Sequence, residues 1–368
     1  MPNIAIVTPY VPPSMVDLFY YLESCTNHNI KAFIVKKKPV HRRHKDHTKD
    51  FRFQYSIMES KCFYLERNEL AIDFVFNWKR ELKEFEPDLI IFDGYGSAYF
   101  GAYIYASYYK VKKVFWNSNT SLYSGQTSSL LANTVKSFIV SNNDWWIAGG
   151  SSMKDYLLKY GAINSRISLA PRAVDTVRFQ EDKAHYKSNV VRLIFVGELN
   201  NRKGCDILLD AYNKIDSSNI ELYIVGDGKD SFLLHTFAQE KKVKNVFFLG
   251  ELPYTETIDC LINSDILIVP SRREPFGRIV NEGLAAGLWV IVSDSVGAKD
   301  DLICHPDNGE IFSSEDVEDL SLKIKSAADK IIYISETRDK RIDWIKNNWS
   351  IKVTASRMSD AINSCLKL

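Results

Sequence analysis

Short apolar runs of four to six residues alternate with longer stretches of helical periodicity along nearly the whole chain, and the series is played through twice. In the first half the strand patterns fall at 3–8, 31–35, 88–92, 112–116, 145–148 and 167–170. A helical pattern covers 68–85, where Leu70, Phe74, Trp78, Leu82 and Phe85 recur at i+3 or i+4. The polar stretch 178–189 breaks the alternation and reads as a linker. A second series follows, with strands at 191–196, 220–225, 245–249, 266–269 and 289–293 and helices at 205–214, 229–242, 254–263, 278–286 and 315–328. Apolar strands separated by helices demand βαβ units and parallel sheets. The pattern predicts an α/β protein of two doubly wound, Rossmann-like domains: an N-terminal domain over 1–177, the linker, and a C-terminal domain over 190–349. A last helix, 350–368, is expected to pack back toward the N-terminal domain. The 368 residues suit two domains at about 150 residues each. Ligands of such sheets bind beyond the carboxyl ends of the strands, here in the cleft expected between the domains.

Charge and cysteine content narrow the function. Lys and Arg total 47 against 46 Asp and Glu, a net charge of +1, which excludes a protein that holds a polyanion by bulk charge. The 45% of hydrophobic residues excludes disorder. Six cysteines lie far apart with no C-x-x-C, and read as free thiols in a reducing compartment. The longest uncharged stretches, 94–109 and 114–135, are too short or too rich in Ser, Thr and Asn to cross a bilayer. With no secretory pattern ahead of the first strand, a cytoplasmic protein is expected. One charge asymmetry stands out: the basic tract 36–49, from Lys36 to Lys49, with three histidines (His41, His44, His47) among its cations. It suits peripheral contact with an anionic membrane face, or a solvated loop. Nucleic acid is not indicated, because no aromatic residues interleave the charges, and neighbouring cations oppose a metal at the histidines.

The densest constellation follows the strand pattern 266–269. It reads Pro270-Ser271-Arg272-Arg273-Glu274-Pro275-Phe276-Gly277-Arg278-Ile279-Val280-Asn281-Glu282. A strand ends, a Pro- and Gly-containing loop turns, and a helix begins near Gly277. The helix start offers free N–H groups and the positive dipole end, a seat for phosphate. Gly277, lacking a side chain, lets a ligand approach the backbone. Glu274 precedes the helix and Glu282 lies about 1.5 turns inside it, so two carboxylates flank one anion seat and can accept hydrogen bonds from hydroxyls on either side. A sugar and a ribose joined by a diphosphate would fit. A second constellation closes the strand 191–196: Gly197-Glu198-Leu199-Asn200-Asn201-Arg202-Lys203-Gly204, with Arg202 and Lys203 adding positive charge at another strand end.

Together these residues resemble glycosyltransferase family 4, retaining enzymes of the GT-B fold. The family patterns V-G-x-L-x-x-x-K-G, V-G-x-G, F-L-G and E-x-F-G-x-x-x-x-E are met here by Val196-Gly197-Glu198-Leu199 to Lys203-Gly204, Val225-Gly226-Asp227-Gly228, Phe248-Leu249-Gly250 and Glu274 to Glu282. Asp294-Ser295-Val296-Gly297-Ala298 and Asn308-Gly309 resemble later segments, and Pro171-Arg172-Ala173-Val174-Asp175 gives a weaker match in the first half. The resemblance implies that Glu274 is the catalytic carboxylate and holds donor-sugar hydroxyls, and that Glu282 holds the ribose. The donor set it implies further includes Gly197, Arg202, Lys203, Leu252, Phe276, Gly277, Arg278 and Ile279. It also implies retention of anomeric configuration, a nucleotide-diphosphate sugar as donor with UDP-sugars the commonest, and no metal or other cofactor. A hexose-type transfer to a glycan or lipid-linked saccharide, in cell-surface polysaccharide synthesis, is the function it suggests.

Three departures mark this chain. Glu198 stands where the family usually carries Arg or Lys, so Arg202 or Arg278 is expected to supply the charge while Glu198 turns away. The loop after the first strand is Pro9-Tyr10-Val11-Pro12-Pro13-Ser14, poor in amide donors, and is expected to shape the acceptor side, with Ser14 and Asp17 as a helix N-cap. A histidine common near the family's reacting centre is replaced by 115–120, leaving Asn117, Ser118 or Asn119 to contact sugar. Tyr10, Ser14, Asp93, Asn117 and Asn119 form the expected acceptor side. The alternatives are a sugar-nucleotide epimerase, against which the intact Glu274 and Glu282 frame speaks, and a catalytically silent donor-binding subunit that supports a partner transferase. A nicotinamide-dependent dehydrogenase is disfavoured because no G-x-G-x-x-G follows the first strand of either domain.

Overall fold

The computed structural model describes residues 1–36, 48–65, 70–117, 130–171, 174–179, 190–215 and 218–368. These form two compact units: one holds the described residues up to 171 together with Ile351–Leu368, the other those from 174 to 350. Both are Rossmann-like, with parallel sheets.

The first unit contains strands β1 (Asn3–Thr8), β2 (Asn29–Ile34), β3 (Gln54–Ile57), β4 (Ser60–Leu65), β5 (Leu70–Val75), β6 (Leu89–Asp93), β7 (Lys112–Asn117), β8 (Trp145–Ala148) and β9 (Ile167–Leu169). Its helices are α1 (Pro13–Cys25), α2 (Trp78–Phe85), α3 (Phe100–Tyr108), α4 (Leu130–Ser141) and α5 (Ser151–Lys159). Seven strands form one sheet in the order β3-β2-β1-β6-β7-β8-β9. Central β1 pairs with β2 from Asn3↔Asn29 to Thr8↔Ile34 and with β6 from Ile4↔Leu89. Ile4, Ala5, Ile6 and Val7 are all fully buried, as a strand covered on both faces requires. Ala5 and Val7 share a core with Trp78 and Leu82 of α2 and with Ala102 and Tyr105 of α3. The C-terminal helix Ile351–Leu366 packs on α1 and against β7, β8 and β9; Thr354 donates to the Pro171 carbonyl at 2.7 Å.

The second unit contains β10 (Val191–Val196), β11 (Ile220–Val225), β12 (Val246–Gly250), β13 (Ile266–Val269), β14 (Trp289–Ser293) and β15 (Gly309–Phe312), all parallel, in the order β12-β11-β10-β13-β14-β15. Helices α6 (Cys205–Asn213), α7 (Ser231–Glu240), α8 (Tyr254–Ile262), α9 (Arg278–Ala285), α10 (Val317–Asp329), α11 (Ile331–Glu336) and α12 (Arg338–Trp349) accompany them. Alternate residues of the strands, such as Leu193 and Phe195 of β10 and Ile266 and Ile268 of β13, join α6 and α10 in one core.

Several expectations are corrected. The helix expected over 68–85 is a helix only from Trp78; Leu70–Val75 is a strand paired antiparallel with Ser60–Leu65, Lys61 facing Phe74. Leu70, Ile72 and Phe74 fit a period of two as well as one of four, and the strand partner decided between them. Helix α1 starts at Pro13 with Pro12 as its cap, so Ser14 lies inside the first turn; proline's fixed φ is already helical there. Residues 178 and 179 of the expected linker belong to a short 3₁₀ turn, Thr176–Phe179, with Phe179 buried, and 180–189 lie outside the described residues. Strand β15 and helices α11 and α12 were absent from the expected pattern. All six cysteines are free. Among the described residues no helix is long and apolar enough to cross a membrane.

Candidate donor site at the strand crossover of the second unit

In the second sheet the chain starts at β10, runs outward to β11 and β12, and returns to the other side of β10 as β13. The segments that follow β10 and β13 thus leave the sheet side by side in opposite directions, opening a crevice at their carboxyl ends. There the two constellations meet. Lys203 Nζ lies 2.5 Å and Arg202 Nη1 2.9 Å from the same Glu274 oxygen, Oε2. Arg202 also donates to the Arg273 carbonyl at 3.2 Å.

Backbone contacts fix this arrangement. The Arg272 amide donates to the Arg202 carbonyl at 2.9 Å. Gly204, at φ +69°, passes so close to Pro270 that a Cβ would stand 2.0 Å from its carbonyl oxygen. Glu274 bridges in parallel to Val296. Its amide donates to Ser295, the Gly297 amide donates to Glu274, and that of Ala298 donates to Phe276. The Asp294–Ala298 resemblance therefore has a local physical meaning: it clamps the Glu274 loop. Phe276 is buried and stacks on Trp349 at 5.9 Å.

Helix α9 begins beyond that loop. Gly277 caps it in the left-handed region at φ +92°, and an added Cβ would meet Val296 Cγ1 at 2.7 Å. Backbone conformation and Val296 are each sufficient to require glycine here. One and a half turns on, Glu282 is buried, and its Oε1 receives Arg278 Nε at 3.0 Å, Arg278 Nη2 at 2.9 Å and the Tyr254 hydroxyl at 3.3 Å. Burial and the Glu282 charge push the Tyr254 phenol up, so it stays protonated and donates. Each carboxylate is thus paired through one oxygen, Glu274 by Oε2 with two cations and Glu282 by Oε1 with one.

Two family models match the chain in succession: Glycosyltransferase Family 4 over residues 37–178 and Glycosyl transferases group 1 over residues 177–348. Over residues 177–348 the chain is similar to the group 1 glycosyltransferases. Its relatives include the glycogen synthase of Mycobacterium tuberculosis, 25% identical over 56% of this chain and 51% of that protein. The gpi3 subunit of the phosphatidylinositol N-acetylglucosaminyltransferase of Schizosaccharomyces pombe is 24% identical over 54% of this chain and 44% of the relative. The chain spans about half the length of these curated relatives. Among solved structures, a glycosyltransferase of Rickettsia africae superposes with a TM-score of 0.78 at 17% identity, covering 100% of this chain and 99% of the other. The Anabaena protein HepE, solved in complex with UDP, gives 0.79 at 14% identity, covering 99% and 100%. These structural likenesses place the fold among GT-B glycosyltransferases.

Within this group 1 domain, Gly197 sits at the end of β10 with its amide bound to Val225, and Glu198 beyond it is exposed. Leu252 and Ile279 are half-buried and Arg278 is exposed. Of the expected acceptor residues, Asp93 ends β6 and its Oδ2 accepts from the Thr8 hydroxyl at 3.0 Å. Thr8 ends β1, so Asp93 and the Tyr10 loop share the crossover of the first sheet. Asn117 is fully buried and its amide donates to the Met153 carbonyl at 3.0 Å, which makes it an internal strut. The Ser14 side chain, Asn119, Ser118 and most of the basic tract (37–47) lie outside what is described. Lys36 itself is held by Asp73 at 2.6 Å and by Cys62.

Four participants escaped sequence reading. Tyr254 precedes Glu282 by 28 positions and carries no local signal. Arg272 grips Asp206 with two bonds, at 2.7 and 2.6 Å, and Glu315 at 2.7 Å. Arg341, buried with its pKa pushed down to about 10 by burial and by Arg338, binds the carbonyls of Gly287, Asp307 and Ile334. Arg338 binds those of Ile262 and Ala286, which ties together the C-terminal ends of α8 and α9. A basic residue in a helix, in sequence, shows only a solvated face.

Proposed function

We propose that the chain transfers a hexose-type sugar, with retention, from a nucleotide-diphosphate donor, UDP-linked in the first instance, to a glycan or lipid-linked saccharide acceptor of a cell surface. The observation that carries this reading is the meeting of Glu274, Arg202 and Lys203 beside the start of α9, with Glu282 one and a half turns within it. A diphosphate seated on the α9 amides takes Arg202 and Lys203 as counter-charges. Glu274 then accepts from the sugar hydroxyls and Glu282 from the ribose.

The acceptor oxygen bonds to the anomeric carbon as the bond to the diphosphate breaks, on the same face. The acceptor's proton passes to the leaving phosphate oxygen. The protein's task is to stabilise the departing charge and an oxocarbenium-like centre, and no residue need act as a strong base. Glu198, exposed at the end of β10, leaves Arg202 and Lys203 as the cations of this loop.

The test is nucleotide release from UDP-, GDP-, dTDP- and ADP-sugars with EDTA present, for the natural chain and Glu274→Ala. Slow hydrolysis of one donor, lost in the variant, supports a metal-independent transferase and names its donor. Binding of a donor with no release under any acceptor overturns the catalytic reading in favour of a silent donor-binding protein.

A further inference from the structure

We propose that Tyr254 is a positioning residue for ribose recognition. Its phenol and the Arg278 guanidinium together hold Glu282 by Oε1, so that Oε2 is presented to a ribose hydroxyl. The inference rests on the reading of Glu282 as the ribose-binding carboxylate.

The physical case starts from burial. The Glu282 side chain is only 8% exposed, and a carboxylate so placed must have its hydrogen bonds met. Arg278 reaches Glu282 from four positions back on the same helix, with its side chain 45% exposed. Tyr254, itself 39% exposed, adds an approach from a second element. It is the first residue of a different element, α8, where Pro253 as cap holds the chain at φ −54° and ψ 150° and sets the direction of the following residue. Its ring has one donor at a fixed distance from the backbone and few rotamers. A rigid phenol from α8 and a guanidinium from α9 thus approach one oxygen from two elements, which orients the carboxylate in a way neither achieves singly. The Glu282 oxygen Oε1 is then satisfied by protein, and a ligand hydroxyl meets Oε2. Sites that satisfy a substrate hydroxyl with a pre-oriented buried group reject the analogue lacking it.

The experiment compares affinities of UDP, GDP and ADP with their 2′-deoxy counterparts, by calorimetry on the full chain, for the natural protein, Tyr254→Phe and Glu282→Gln. For the nucleotide that binds, the natural chain is expected to prefer the ribo form by roughly tenfold, as loss of a hydrogen bond to a charged group predicts. Tyr254→Phe should reduce that preference to about threefold or less by weakening ribo binding while leaving deoxy binding unchanged, a split that a general loss of fold does not produce. Glu282→Gln should also lower the preference.

If the natural chain discriminates and Tyr254→Phe discriminates equally, the Tyr254 proposal is overturned and the Glu282 reading stands. If both forms weaken together in Tyr254→Phe, Tyr254 acts on the base or on folding, and the proposal is again overturned. Absence of discrimination in the natural chain, or of binding by any of the three diphosphates, overturns the Glu282 reading and this inference with it.

Discussion

The two units share a topology and differ in what their crossovers hold. In each sheet a central strand is flanked by the strands on which the chain reverses direction: β1 beside β6 in the first unit, β10 beside β13 in the second. The crossover of the first sheet carries Thr8 hydrogen-bonded to Asp93, and Tyr10. That of the second carries two carboxylates and three cations, paired on single oxygens. A cavity of about 1320 Å³ in the first unit is lined largely by aromatic and aliphatic side chains such as Tyr95, Phe100, Tyr103, Tyr108 and Phe115, with Lys113 and Lys136 among them and no carboxylate among its described lining. The same fold offers a ligand crevice twice, and the two differ in the charge placed at them.

The contrast is most directly broken at the two crossover carboxylates. Glu274→Ala is expected to lower donor turnover by about 100- to 1,000-fold, the scale of one lost preorganised contact at a reacting centre. Asp93→Ala should cost far less with the same donor in a hydrolysis assay. Equal losses would mean that the asymmetry of charge is not an asymmetry of function.

Backbone strain gives the next largest effect. Gly277→Ala must place a Cβ against Val296 at a left-handed φ, and is expected to destabilise the chain by about 1–3 kcal/mol. Gly96→Ala, whose nearest neighbour is the Tyr99 ring at 3.3 Å and whose φ is −169°, should lower the melting temperature much less. Thermal unfolding of the two variants compares the loops directly.

A third comparison separates strut from ligand contact. Asn117→Ala removes a fully buried side-chain bond to the Met153 carbonyl and should cost roughly 1–3 kcal/mol of stability, with donor affinity unchanged by calorimetry. A selective loss of acceptor transfer at unchanged stability would return Asn117 to the acceptor site.

The smallest effect is electrostatic. Burial raises the Asp206 carboxyl, but the two bonds and the charge of Arg272 outweigh it and hold the pKa below 3.8. A folded-state pKa below the unfolded one contributes stability that is present above about pH 4 and lost as pH falls through the folded value. Asp206→Asn should therefore melt lower than the natural chain at neutral pH, and the gap should close as pH drops below 3.8. A gap that persists in acid would assign the loss to packing.

Much of the second unit was legible from its residues. β10, β11, β13 and β14 fall where short runs rich in Val, Ile and Leu stand between polar turns, and α9 begins at Gly277, because buried strands and capped helices leave local patterns. The first unit was less so. The run at 70–75 fits two periodicities, and only its pairing with 60–65 chose the strand. The short edge strand β15 pairs with β14 alone and has little pattern of its own. Helix α12 is tied to the unit by Arg338 and the buried Arg341, whose charge in sequence reads as solvent-facing.

By itself the sequence determined where the strands of the second unit run, that glycine stands where α9 begins, and that Glu274 and Glu282 flank that start. Each of these depends on neighbours within one or two helical turns or one strand. Only the tertiary structure decided that Lys203 and Arg202 share one oxygen of Glu274, 71 and 72 positions away, and that Tyr254 meets Glu282 across 28. Those pairings follow from strand order, which sets β13 beside β10 and brings α8 to α9. Strand order results from burying both faces of a sheet at once, a condition no local stretch of chain records.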